Sequence, residues 1–165
     1  MIAKQKIRLF GMALVIAAVG VALQGCGRQE GSIVIPLNMN SDAQALVESG
    51  NAKIESGDFD AAIADFNEAL KLSPEYAPAF YNRAQAHVGK KDYDIAFEDA
   101  LKAAQLDPEN AQYFLQCGII SYYRQDTVMI LLFLKKAEEL DPSLEEANRA
   151  FLQWAYPGGI HIINN

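Results

Sequence analysis

From Ala43 onward the chain repeats itself every 34 residues, three times and without insertion, over 43–76, 77–110 and 111–144, with Pro74, Pro108 and Pro142 in matching places. In the first copy Ala43, Leu46, Val47, Gly50 and Ile54 recur at helical spacing and predict one helix to about Ser56. Gly57 ends it, since glycine accepts the left-handed conformation of a helix stop. Asp58 is placed to cap a second helix by offering a side-chain oxygen to its orphan amides. Phe59, Ala62, Ile63, Phe66, Ala69 and Leu70 form one face of that helix, which stops before Pro74.

Many positions recur in phase. Leu46, Gly50, Phe59, Ala62, Phe66, Ala69 and Pro74 mark the first copy; Phe80, Ala84, Tyr93, Ala96, Ala100, Ala103 and Pro108 mark the second; Phe114, Gly118, Leu134, Ala137 and Pro142 mark the third. Period and pattern resemble the tetratricopeptide repeat family, whose helix–turn–helix units stack into a solenoid. The resemblance implies an all-α solenoid of three repeats with a C-terminal capping helix. Small residues at Gly50, Ala84 and Gly118, and at Ala62 and Ala96, are expected to let paired helices approach closely, with Phe59 and Tyr93 filling space near the turn.

Residues 1–25 read as a targeting segment outside the fold. Lys4, Lys6 and Arg8 precede an uncharged apolar stretch over 9–23, short for a membrane span of about 20 residues. Leu23-Gln24-Gly25-Cys26 follows and resembles a bacterial lipobox, which implies cleavage before Cys26 and a covalent lipid, palmitate among the acyl chains, on its thiol. On the residues alone, an ordinary secretory signal or an uncleaved anchor is the alternative. If Cys26 is acylated, Cys117 has no disulfide partner and reads as a small core residue. Residues 27–41 are rich in Gly, Ser and Asn and read as a tether, spanning about 20 Å as a coil and about 50 Å when extended. The chain thus divides into a signal peptide (1–25), a lipidated cysteine and tether (26–41), repeats at 42–76, 77–110 and 111–144, a capping helix (145–156) and a tail (157–165).

The net charge of −7 hides an asymmetry: beyond residue 25 there are 11 basic and 21 acidic residues, or −10. An acidic body argues against nucleic-acid binding, which needs cations for phosphate. His87 and His161 are isolated, no phosphate loop or serine elbow is present, and the aspartates at helix starts (Asp58, Asp92, Asp126) are explained by capping. The sequence therefore predicts neither an enzyme nor a cofactor site.

The resemblance places the first helix of each hairpin on a concave face. Asn51, Ile54 and Glu55, then Tyr81, Asn82 and Gln85, then Leu115, Gln116, Ile119 and Tyr122 are expected to line a groove for a partner peptide or helix. Some family members grip a terminal carboxylate between two asparagines and several cations. Asn51 and Asn82 match the asparagines, but Val47, Gln112 and Gln116 stand where cations are needed, so that grip is not implied. The third repeat departs from the pattern, with Thr127 for the aromatic residue, Ile130 for alanine and an unbroken apolar run over 128–134. Val128, Met129, Leu132 and Phe133 are expected to lie partly outward, as a patch for a homodimer. The expected function is a lipid-anchored scaffold that binds other proteins of a bacterial envelope. Gly27 after the cysteine, in place of a retention aspartate, favours the outer membrane, facing the periplasm. The alternative is a self-associating structural subunit.

Overall fold

The computed structural model describes residues 39–159, with side chains from Ser41 onward. Among these residues there are seven α-helices and no strand: α1 (Met39–Glu55), α2 (Phe59–Leu72), α3 (Ala77–Lys90), α4 (Tyr93–Leu106), α5 (Ala111–Tyr123), α6 (Thr127–Leu140) and, after a 3₁₀ turn at Pro142–Leu144, α7 (Glu145–Ala155). Helices α1–α2, α3–α4 and α5–α6 form hairpins, each second helix packs on the first helix of the next hairpin, and α1 also meets α3. The fold is an α-solenoid of three repeats with a terminal helix. Helix α1 takes in residues 39–41, which the sequence assigns to the tether; Asp42 lies in its first turn, where a carboxylate favours the helix dipole. The residues expected to form the targeting segment (1–25), Cys26, most of the expected tether and residues 160–165 lie outside the described residues.

The three turns share one geometry on different residues. Gly57, Lys91 and Gln125, 34 apart, have φ of 81°, 66° and 60°. The next amide in each case donates back to the helix, Asp58 to the Lys53 carbonyl, Asp92 to His87 and Asp126 to Ser121, at 2.9–3.0 Å. Glycine suits this left-handed position, and two of three repeats hold it with a side chain present. Asp58 and Asp126 then accept from the amides of Ala61 and Met129 as caps. Asp92 stands at the same place without capping; its carboxylate lies 3.5 Å from His87 Nδ1.

Close approach within hairpins follows from complementary sizes. A Cβ on Gly50 would fall 2.4 Å from the ring of Phe66, and one on Gly118 would fall 2.8 Å from Leu134 Cδ2. The corresponding positions of the middle repeat are Ala84 and Ala100, both fully buried. Large faces none, and small faces small, which keeps the interior filled along the stack.

Between hairpins a contact recurs with the same 34-residue shift. Lys90 Nζ donates to Asp60 Oδ1 (2.6 Å) and Arg124 Nε to Asp94 Oδ1 (2.8 Å). Beside these pairs, Phe59 lies over Gly89, and Tyr93 stacks on Tyr123 with ring centroids 5.0 Å apart. The ladder stops at the third repeat, where Val128 and Gly158 hold the two ionic positions and Thr127 the aromatic one.

Candidate functional site

The first helices form a continuous inner face. Gln116 Nε2 in α5 donates to the Tyr81 carbonyl in α3 (3.2 Å), and the rings of Tyr81 and Tyr113 are 5.1 Å apart. Along this face Asn51, Tyr81, Asn82, Gln85, Leu115 and Ile119 are half-buried and Glu55 is exposed, so each keeps surface for a partner.

Of the other three expected groove residues, Gln116 is buried, while Ile54 and Tyr122 are half-buried like the rest and carry further contacts. Gln116 is 8% exposed and sits between α3 and α5; its Oε1 is enclosed without a hydrogen-bond partner. Ile54 packs against the core cluster around Phe66 and Ala69. Tyr122, 68 residues further on and so in the same register, is ringed by Phe151, Trp154 and Tyr156 at centroid distances of 5.5–6.2 Å. The last member is thus contacted by α7 and by Tyr156 just beyond it, and stays half-buried. Where Thr127 replaces the aromatic residue, Tyr122, Tyr123, Gln125, Thr127 and Tyr156 line an open depression of about 470 Å³.

The outward set on α6 also divides. Val128 (62% exposed) and Leu132 (57%) face solvent. Met129 is half-buried against the core, and Phe133 is buried, its ring 5.7 Å from that of Phe97. The repeat register explains Phe133. Its counterparts Asp65 and Asp99 point into their own hairpins. Asp65 accepts from Ser49 Oγ (2.6 Å) and Lys53 Nζ (2.5 Å), and Asp99 takes both Nε (2.8 Å) and Nη2 (2.6 Å) of Arg83. In the third repeat Cys117 and Ser121 stand where Ser49 with Lys53, and Arg83 with His87, stand in the first two. No cation faces the position, and a phenyl ring fills it.

Burial tends to raise the Asp65 carboxyl, but the hydrogen bonds from Lys53 and Ser49 and the charge of Lys53 outweigh it and hold the group below its ordinary pKa. Burial pushes the Cys117 thiol up to about 12, so it stays neutral and unreactive at pH 7. Among the described residues no cluster of three or more His, Cys, Asp or Glu could hold a metal ion, and no helix is long and apolar enough to cross a membrane.

Known proteins match this geometry. A TPR repeat model matches residues 50–91 and a tetratricopeptide repeat model matches 77–110. Solved structures of similar fold include the first TPR of Spaghetti (RPAP3) bound to HSP90 peptide SRMEEVD, at 22% identity and TM-score 0.66, covering 72% of this chain and 93% of that one. The Arabidopsis OM64 TPR domain follows at 22% identity and TM-score 0.65, covering 70% and 98%. The second TPR domain of human RPAP3 in complex with HSP70 peptide SGPTIEEVD has 19% identity and TM-score 0.65, covering 71% and 97%. No curated protein matches the chain. Tetratricopeptide repeat models thus match 50–110, and the third hairpin, outside both matches, has the same helix–turn–helix construction.

Proposed function

We propose that the protein is a non-catalytic interaction scaffold, held at a bacterial envelope membrane by a lipid on Cys26, whose inner face binds peptide segments of other envelope proteins. The observation that carries the binding role is the row of half-buried amide, aromatic and aliphatic side chains on three adjacent first helices, Asn51, Tyr81, Asn82, Gln85, Leu115 and Ile119. Such a row offers area and hydrogen bonds at small entropy cost. The RPAP3 domains of similar fold hold peptides. Those peptides end in EEVD, whereas this chain has Val47, Gln112 and Gln116 at the cationic clamp positions, with Val47 and Gln116 buried. The scaffold accordingly takes partners of other chemistry. The lipobox-like Leu23–Cys26 stretch supports the anchor, and Gly27 supports the outer membrane, facing the periplasm.

Two experiments test the two halves. Cys26→Ser abolishes labelling by a fatty-acid analogue if the anchor is as stated; unchanged labelling refutes it. Affinity capture of envelope proteins by the full chain loses its specific partners in Tyr81→Ala at unchanged helicity; retention of every partner refutes the inner-face role. A second reading, a homodimer through α6, rests on Val128 and Leu132, exposed where the other repeats have Asp60 and Asp94, or Ala64 and Glu98. Sedimentation of the full chain in detergent over a range of concentrations tests it: a dimer lost in Val128→Asp/Leu132→Glu supports it, and a monomer throughout excludes it.

A further inference from the structure

The inner face changes character along the solenoid. Stepping by 34 residues, Asn51 becomes Gln85 and then Ile119, while Glu48 becomes Asn82 and then the buried Gln116. The first repeat adds Glu55, one helical face with Glu48 and Asn51, and both glutamates are exposed. Gln44 Nε2 donates to Glu48 (3.0 Å), a neutral partner that leaves the charge in place. Lys53, the cation nearest in sequence, is committed to Asp65 across the hairpin, and Arg83 to Asp99. The third repeat offers Leu115 and Ile119, half-buried and uncharged. The face therefore runs from acid through amide to aliphatic.

Resting on the reading that this face binds peptides, we infer that its occupant is an internal peptide segment, basic at one end and apolar at the other. The basic end lies over Glu48 and Glu55, and the apolar end over Leu115 and Ile119. Charge complementarity decides this. A free acidic terminus would bring its carboxylates to a face that holds glutamates and no cation, on a body carrying ten net negative charges beyond residue 25. A lysine or arginine over two exposed glutamates gains Coulomb attraction and a faster encounter, and both fade with salt. Asn82 and Gln85 between the ends can pair with peptide backbone, which is indifferent to side-chain identity. The gradient thus fixes direction as well as composition.

The test is selection of random dodecapeptides displayed either between two flanking domains or with a free C-terminus, against the full chain in detergent. The expected winners come from the flanked library, with Lys or Arg at one end and Leu, Ile or an aromatic residue at the other, always in the same order. Glu48→Lys/Glu55→Lys weakens their binding roughly tenfold and removes its salt dependence. Ile119→Ser weakens the same peptides without touching the salt dependence. Winners with free acidic termini, or with no constant order of charge, yet lost in Tyr81→Ala, overturn this inference and leave the peptide-binding reading standing. Failure to enrich any peptide that depends on Tyr81 overturns both.

Discussion

The second and third hairpins have the same backbone and opposite seams. In the second, a buried carboxylate, Asp99, lies between α4 and α3 and takes both arms of the Arg83 fork. In the third, the same two positions are Cys117 and Phe133, and the seam is apolar. The difference teaches that the register dictates where a side chain points, while the chemistry of the seam is set pairwise. An ion pair and an apolar filling by Cys117 and Phe133 are alternatives for one space, and mixtures of the two are costly.

Mixing them gives the largest expected effect. Phe133→Asp places a carboxylate opposite Cys117 with no cation, and costs about 3–5 kcal/mol. Asp99→Phe leaves Arg83, half-buried, with Asn67 as its remaining partner and costs less. Chemical denaturation of the two variants checks this, and Cys117→Arg combined with Phe133→Asp recovers part of the loss if the pairwise account holds.

A smaller effect separates the hairpins by their small residues. Gly50→Ala drives a Cβ into the Phe66 ring and costs about 1–3 kcal/mol. Gly118→Ala meets the flexible end of Leu134 and costs less. Ala96→Leu, at a fully buried position of the middle hairpin, overpacks by about 1–3 kcal/mol. Thermal midpoints of the three variants rank them.

Acid reads the polar seam of the first repeat, which the third lacks. Asp65 is held below its ordinary pKa, so the native state resists protonation more than the unfolded chain does. Its contribution is complete above the unfolded value of about 4 and is lost as pH falls through the lower folded value. The stability difference between the parent and Asp65→Asn therefore narrows below about pH 4. Denaturation midpoints from pH 7 to 2 measure it.

The smallest effect lies in the turns. Lys91→Gly and Gln125→Gly relieve a left-handed side-chain conformation and raise stability by up to about 1 kcal/mol, whereas Gly57→Ala lowers it by about 1–2. Equal responses at all three sites would show that the turns do not share the geometry described.

Most of this fold was legible from period alone. Pro74, Pro108 and Pro142 mark the unit, and the small residues at Gly50, Ala84 and Gly118 locate the close approaches. The turns of the second and third repeats were less so, because lysine and glutamine carry no signal for a left-handed position that the surrounding hydrogen bonds impose. Phe133 was misplaced because an unbroken apolar run hides the helix face, yet Asp65 and Asp99 in register, each with a polar partner one hairpin helix away, carried the information. Gln116 and Tyr122 were read as groove residues from register. Gln116 is buried by its contact with Tyr81, and half-buried Tyr122 touches Phe151, Trp154 and Tyr156, which are tertiary contacts that a 34-residue period does not encode. The acid-to-apolar change on the inner face was visible only after the three first helices were set side by side.

One measurement weighs the inner face against the outer most directly. A photoreactive phenylalanine analogue is placed singly at Gln85 and Ile119 on the inner face, and at Val128 and Leu132 on α6, in the full chain. Crosslinking is then carried out in native membranes. Gln85 and Ile119 are expected to capture the same foreign protein, and Val128 and Leu132 not to capture it. Capture from Val128 and Leu132 alone, whether of a foreign protein or of a second copy of this chain, would contradict this expectation and move the working surface to α6.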